Sequence, residues 1–146
     1  MKLLNRDQNY KTIKGRKKGY ATSILYLSPA DTSGKEVCSH RTPGCTSVCL
    51  NTAGHGATHM VQRARLTKTQ MYHDDPYKFV HTIAKELTNF HKWCKKKELL
   101  PCVRLNGTSD IPWEKYRPYL MDSFPTIQFY DYTKNHVRME KYNLGH

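Results

Sequence analysis

Three of the five cysteines, Cys38, Cys45 and Cys49, lie in one short stretch between an apolar run and a glycine-rich turn. Thiolates bind soft metal ions and clusters, and they must converge to within about 2.3 Å of the metal. A short loop brings its own side chains together at little cost in chain entropy. These residues therefore predict a metal site on the loop that follows the apolar run.

The composition favours a metal over disulfide bonds. The sequence has no apolar run of about 18 residues, and residues 1–19 lack the apolar segment of a signal peptide. We therefore expect no membrane span and a location in the cytoplasm, where thiols stay reduced. An odd number of cysteines in that compartment favours metal binding over a disulfide framework.

The residue types leave the identity of the metal open. Structural zinc sites are commonly built from two close ligand pairs, and the sequence shows no obvious second pair. Three thiolates match the soft ligands of iron–sulfur clusters. Zinc is the alternative, because His40, His55 and His59 each offer a nitrogen near the loop. Cys94 and Cys102 lie in a predicted helix and a predicted strand, where buried thiols are expected.

The net charge of +12, from 24 Lys and Arg against 12 Asp and Glu, predicts a polyanionic partner. Nucleic acid fits best, because 10 Tyr and 2 Trp accompany the charge and can stack on bases. A solvated basic surface is the alternative for each charged run. The candidate phosphate contacts are Lys14, Arg16, Lys17, Lys18, Arg63, Arg65 and Lys68.

Apolar periodicity predicts strands that alternate with helices. The strands fall at residues 20–27, 100–106 and 126–133, and the helices at 58–72, from 74 to the lysines at 95–97, at 112–121 and at 135–142. This order predicts an α/β fold with an incomplete, barrel-like parallel sheet of about three β/α units. We expect a single metal-binding domain over residues 20–146, preceded by a basic flexible arm over residues 1–19.

Parallel strands bring the loops at their carboxyl ends to one edge of the sheet. We therefore expect the cysteine loop, the loop at 106–110 and the turn at 132–134 to converge. Asn106, Ser109 and Asp110 then form a candidate site for a small ligand. The Asp110 carboxylate can accept hydrogen bonds from an amine, a hydroxyl or an arginine, and the alternative role for it is to cap the next turn.

Three segments carry a family resemblance: CSHRTPGCTSVC at 38–49, RLNGTSDIPWE at 104–114 and FYDYTK at 129–134. Together they resemble an uncharacterised group of phage-encoded proteins related to the radical-SAM superfamily, over residues 23–138. The resemblance implies a phage origin and a [4Fe-4S] cluster on Cys38, Cys45 and Cys49. The glycine-rich SAM motif of that superfamily is absent after the second predicted strand, which favours a cluster protein over a SAM enzyme.

We therefore expect a phage iron–sulfur protein that binds nucleic acid, DNA before RNA, through its basic surface and without a reaction of its own. One alternative is a reduced radical-SAM enzyme that uses SAM on a nucleic acid or a nucleotide. Another is a zinc-stapled module that binds an acidic surface of a host protein. The sequence does not specify an oligomeric state.

Overall fold

A computed structural model describes residues 1–6 and 10–142 of the chain. These residues form a mixed α/β fold around an open four-stranded sheet with the strand order β1-β2-β3-β4. The strands are β1 (Leu4–Arg6), β2 (Tyr20–Leu25), β3 (Leu100–Arg104) and β4 (Gln128–Phe129). Strands β2, β3 and β4 are parallel, while β1 runs antiparallel to β2. The predicted α/β class is confirmed, and the sheet is open, with β1 and β4 at its edges.

The helices are α1 (Tyr10–Arg16), α2 (Pro43–Ser47), α3 (His59–Asp74), α4 (Pro76–Lys96) and α5 (His136–Tyr142), with short 3₁₀ helices at Leu50–Thr52, Gly54–Ala57 and Trp113–Tyr119. The long helices α3 and α4 and the short α5 fall where the sequence predicts them, the predicted helix at 112–121 is a 3₁₀ helix, and α1 and α2 were not predicted. Helix α4 begins where the sequence predicts, because the Asp75 carboxylate accepts a hydrogen bond from the Lys78 N–H at 2.9 Å. Pro76 occupies the first turn, where its missing N–H costs nothing.

The core lies against one face of the sheet. Alternate residues of a strand share a face, and Ala21, Leu25 and Val103 supply the strand contribution. Helix α4 packs its apolar stripe on them, as its spacing predicts. The stripe consists of Phe79, Val80, Ile83, Leu87, Phe90 and Cys94. The Trp113 ring stacks on Phe79 with 6.3 Å between ring centroids, so the 3₁₀ helix after β3 packs on α4 and contributes to the core.

The amino-terminal segment belongs to the sheet. Leu3 and Leu4 are buried in the core, and the Glu86 carboxylate of α4 accepts hydrogen bonds from their backbone N–H groups at 2.7 and 2.8 Å. The Lys68 Nζ of α3 donates to the Leu3 carbonyl oxygen at 2.7 Å. The structure thus corrects the prediction of a flexible arm over residues 1–19, because two leucines in that polar stretch supply enough apolar surface to anchor it.

These contacts protect the start of the β1 edge. An uncovered edge strand presents unpaired N–H and C=O groups that can pair with another chain. Here Glu86 and Lys68 bind the Leu3 and Leu4 N–H groups and the Leu3 carbonyl oxygen. Among the described residues, no helix is long and apolar enough to cross a membrane.

We expect Glu86→Ala to lower the free energy of unfolding by about 2–3 kcal/mol. The substitution leaves the Leu3 and Leu4 N–H groups without their charged acceptor and removes the negative charge nearest to buried Lys68. Urea denaturation measures the change. Glu140→Ala, at an exposed position of α5, is the control and should change the value by no more than about 0.5 kcal/mol. Equal losses in the two variants would contradict the role of Glu86.

Candidate functional site

The three loops converge at the carboxyl edge of the sheet. The Asp110 N–H donates to the Val37 carbonyl oxygen at 2.8 Å, which joins the loop after β3 to the beginning of the cysteine loop. The Asp110 carboxylate accepts hydrogen bonds from the Thr133 hydroxyl at 2.8 Å and the Lys134 N–H at 3.3 Å. The predicted convergence of the cysteine loop, the 106–110 loop and the 132–134 turn is therefore confirmed.

Asn106 is the buried centre of this edge. Its Oδ1 accepts hydrogen bonds from the Ser109 hydroxyl at 2.8 Å, the Ile111 N–H at 3.0 Å and the Trp113 indole N–H at 3.0 Å. Its Nδ2 donates to the Ile111 carbonyl oxygen at 2.9 Å and to the Asp131 carboxylate. The amide thus has its hydrogen-bonding capacity filled by the protein itself.

Arg138 joins the same network from α5. Its guanidinium donates to Asp110 at 2.7 Å, to Glu114 at 2.6 and 3.0 Å, and to Asp131 at 3.0 Å. Burial alone would lower the pKa of Arg138, but the hydrogen bonds to Glu114 and Asp131 outweigh it and raise the pKa. Burial raises the pKa of Asp131, against the opposing effect of its hydrogen bonds from Asn106 and Arg138. One cation therefore faces three carboxylates.

These contacts correct the proposed small-ligand site at Asn106, Ser109 and Asp110. Asn106 and Ser109 are buried, and their polar side-chain atoms already have protein partners. Both Asp110 carboxylate oxygens are engaged, one by Arg138 and the other by Thr133. The Asp110 carboxylate does accept from an arginine and a hydroxyl, as its chemistry predicts, but both belong to the chain. The three residues fix the loops in place.

A cleft of about 940 Å³ lies beside this network. Val103, Leu105 and Trp113 supply apolar surface to it, while Glu114 and Arg138 supply charge. Its size is within the range of small-molecule sites. Residues from β3, the 3₁₀ helix, β4 and α5 line it, so no single segment of the sequence could have indicated it.

The cysteine loop is attached to the sheet edge through Cys38. The Cys38 Sγ accepts a hydrogen bond from the Ala30 N–H at 3.4 Å and donates to the Thr108 carbonyl oxygen at 3.9 Å. Cys45 lies on α2, which Thr42 caps by accepting from the Cys45 N–H, and Cys49 precedes the next 3₁₀ helix. Burial raises the pKa of Cys38, and the nearby charges of Glu36, Asp110 and Cys49 add to this effect.

The three thiols of the cysteine loop are not grouped as metal ligands in this structure. Within residues 1–6 and 10–142, no three His, Cys, Asp or Glu side chains are grouped so that they could hold a metal ion. Three thiols are suitable donors for iron–sulfur chemistry, yet coordination by Cys38, Cys45 and Cys49 requires the loop to close further than it does here. The raised pKa of Cys38 also disfavours its thiolate form while no cation is bound.

Two of the predicted phosphate contacts lie in the interior. The Arg65 Nη1 donates to the Asn51 carbonyl oxygen at 3.0 Å and to the Asn51 side chain, which fixes the end of the cysteine loop to α3. Gly56 packs beside it so closely that a Cβ would lie 3.2 Å from the Arg65 Nη2. Lys68 binds the edge of β1. Burial lowers the pKa of both cations. Of the three α3 candidates, Arg63 is the exposed one.

Two basic runs meet at the opposite, amino-terminal end of the parallel strands. The Leu100 N–H donates to the Gly19 carbonyl oxygen at 2.8 Å, so the turn before β2 lies against the turn before β3. The Arg16 guanidinium lies 4.9 Å from the centroid of the Trp93 ring, which joins α1 to the end of α4. We call the exposed cations of both runs the basic patch: Lys14, Arg16, Lys17, Lys18, Lys92, Lys95, Lys96 and Lys97.

Sequence reasoning missed half of this patch. The lysines at 92–97 lie at a predicted helix end, where they interact favourably with the helix dipole, and this explains them without a binding partner. The density of lysines in KWCKKK was the sequence feature that could have indicated a binding surface. Only the pairing of β2 with β3 shows that this run adjoins the amino-terminal one.

The acidic side chains are largely engaged elsewhere. Their partners are Arg41, Arg117, Arg138 and backbone N–H groups, all of which lie outside the basic patch. The engaged carboxylates are those of Asp31, Glu36, Asp75, Glu86, Asp110, Glu114, Asp122 and Asp131. The engaged negative charge therefore lies away from the patch, while the exposed Glu98, directly after Lys97, is an acidic side chain beside it.

The fold and these sites define a small basic α/β protein with a cysteine loop at one end of its sheet and a basic patch at the other. The chain belongs to the Gene product 88 family, whose family model matches residues 2–145. No curated protein and no solved structure matches the chain.

We expect Arg138→Met to lower the free energy of unfolding at pH 7 by about 3–5 kcal/mol, because three carboxylates lose their shared cation. Burial raises the pKa of Asp131, and the variant loses the Arg138 hydrogen bond that opposes this effect, so the folded variant takes up a proton at Asp131 as the pH falls. The deficit should therefore shrink between pH 7 and about pH 4.5. Denaturant unfolding at the two pH values measures this.

The control for this variant is Arg117→Met. Arg117 pairs with Asp122 at 2.8 Å, but both side chains are exposed, so the loss should stay below about 1 kcal/mol at either pH. A deficit in Arg138→Met that is the same at both pH values would contradict a role in holding the carboxylates together.

Proposed function

We propose that the protein binds nucleic acid through the basic patch, with DNA as the first ligand to test. The observation that carries the proposal is the hydrogen bond between Leu100 and Gly19, which brings two basic runs far apart in sequence to the same end of the sheet. The chain is further proposed to be a phage protein that acts in the cytoplasm of the host cell. Nothing in this function requires a reaction.

The physical basis is the neutralisation of backbone phosphates. Each lysine or arginine that contacts a phosphate releases a condensed counterion, and this release supplies most of the affinity in binding without sequence preference. The patch suits this mode because its lysines are exposed and mobile point charges, which adapt to phosphates at different spacings. Arg16 is more fixed, because its guanidinium packs on Trp93.

We expect the double variant Lys96→Gln/Lys97→Gln to bind duplex DNA more weakly. Its plot of log affinity against log salt concentration should be shallower by about 0.9 for each phosphate that the variant no longer neutralises. Fluorescence anisotropy of a labelled duplex over a salt series measures both quantities. The fold should be retained, because both lysines are exposed at the end of α4 and each contributes less than about 1 kcal/mol to the helix.

The matched control is Lys78→Gln/Lys85→Gln, which removes the same charge from exposed positions of the same helix. Lys78 and Lys85 lie about 27 and 17 Å along the helix axis from Lys96, so both are remote from the charges that the test variant removes. The control should bind nearly as the wild type does. Equal weakening by both double variants would show that net charge alone decides binding and would contradict a specific role of the patch. Absence of binding by the wild type at low salt would contradict the proposed function itself.

We propose metal binding by the cysteine loop as a second function. The observation in its favour is that Cys38, Cys45 and Cys49 are free, half-buried thiols on one loop. A bound metal would add to the folding free energy of the loop. The resident group expected for three soft thiolates is an iron–sulfur cluster, and zinc is the alternative.

We expect protein purified without oxygen to be brown, to contain iron and sulfide, and to lose both on Cys45→Ala, because one ligand of three is removed. Elemental analysis and a visible spectrum measure this, and Cys94→Ala serves as a control thiol in the core. A colourless protein that contains zinc would contradict the cluster and support the alternative of a zinc-stapled module. A metal-free protein would contradict metal binding and, with it, any SAM reaction.

A further inference from the structure

The sheet has a second face, opposite the core. Because side chains alternate along a strand, Cys102 and Arg104 point away from the face that carries Val103. The β3–β4 register pairs Cys102 with Gln128, and the Tyr130 N–H continues the ladder by donating to the Val103 carbonyl oxygen at 3.0 Å. Tyr130 therefore lies beside Arg104 on this second face.

This second face is partly exposed. Thr22 and Ile24 of β2 are buried, and Cys102 and Arg104 of β3 are half-buried. In contrast, Tyr20, Leu100 and Gln128 are exposed. At about 3.3 Å per residue, the strip formed by β3 extends about 13 Å from Leu100 to Arg104. Leu100 adjoins the basic patch through its bond to Gly19, so the strip begins where the patch ends.

The far end of the strip carries Arg104, Tyr130 and Tyr132, which we call the tyrosine surface. The Arg104 guanidinium lies 4.9 Å from the centroid of the Tyr132 ring, and the two tyrosine rings meet edge to face with centroids 6.4 Å apart. Tyr132 is 70% exposed and Tyr130 is 37% exposed. A ring as exposed as that of Tyr132 adds little to the core, and its face away from Arg104 is available to a planar group.

A cation adjoins the exposed ring. The Arg104 side chain is half-buried, and its guanidinium packs on the Tyr132 ring, so a positive charge lies directly beside that ring.

We propose that the tyrosine surface stacks bases of single-stranded nucleic acid whose backbone is held by the basic patch. This proposal rests on the proposed function and narrows it to single strands. Exposed aromatic rings beside cations bind unpaired bases without sequence preference, because every base has a flat π-face. A duplex keeps its base faces stacked inside, so the tyrosine surface would add nothing to duplex binding. The charge of the neighbouring patch favours a polyanion over an apolar peptide.

The experiment compares a labelled oligothymidylate with a labelled duplex in anisotropy titrations at one salt concentration. We expect Tyr132→Ala to weaken single-strand binding by about 5- to 100-fold, the effect of losing stacking on one base, and to leave duplex binding unchanged. Tyr132→Phe keeps the ring and should bind as the wild type does. Tyr77→Ala is the matched control, since Tyr77 is 61% exposed but lies on α4.

Each outcome separates the two proposals. If the wild type binds the single strand and Tyr132→Ala binds it equally well, the proposal of base stacking is overturned, and the proposal of binding by the basic patch is retained. A loss that is equal on duplex, or equal in Tyr77→Ala, also overturns base stacking at this surface. If the wild type binds neither nucleic acid at low salt, both proposals are overturned. Tyr132 makes few contacts with the core, and circular dichroism verifies that each variant is folded.

Discussion

Strands β2 and β3 run parallel, with Tyr20 opposite Leu100 and Ile24 opposite Arg104. Because both strands point the same way, the segments that directly precede them lie at one end of the sheet and the loops that directly follow them lie at the other. The lysines before β2 and at the end of α4 thereby become one patch. The cysteine loop and the 106–110 loop likewise become neighbours. Every site described above depends on this one pairing, which α4 enforces by packing its apolar stripe across the strands.

The carboxyl end of the sheet is held by buried polar groups. Asn106 and Arg138 fix three loops that have little apolar surface of their own. Such networks are costly to desolvate, and they define a unique arrangement only when every member is satisfied, as it is here. The result is a rigid edge from which the cysteine loop extends. The loop is attached at Cys38 and, through Arg65 of α3, at Asn51, and Cys45 lies between these points on a short helix.

The two ends of the sheet suit different chemistry. At the amino-terminal end, exposed lysines offer charge without a fixed geometry, which suits a flexible polyanion. On the second face, Arg104 and Tyr132 offer a cation and a flat ring side by side, which suit the proposed stacking of bases. The cysteine loop lies at the same end of the sheet as the tyrosine surface.

The sequence by itself determined the features that depend on near neighbours in the chain: the cap at Asp75, the α4 stripe, the alternation of strands and helices and hence the α/β class. It also indicated which loops meet, since parallel strands leave only one edge for them. Only the tertiary structure decided the roles of Leu3, Arg65, Lys68 and Arg138. A leucine in a polar stretch or a lysine on a helix has no fixed environment until distant segments pack on it, so burial and ion pairing could not be read from local patterns.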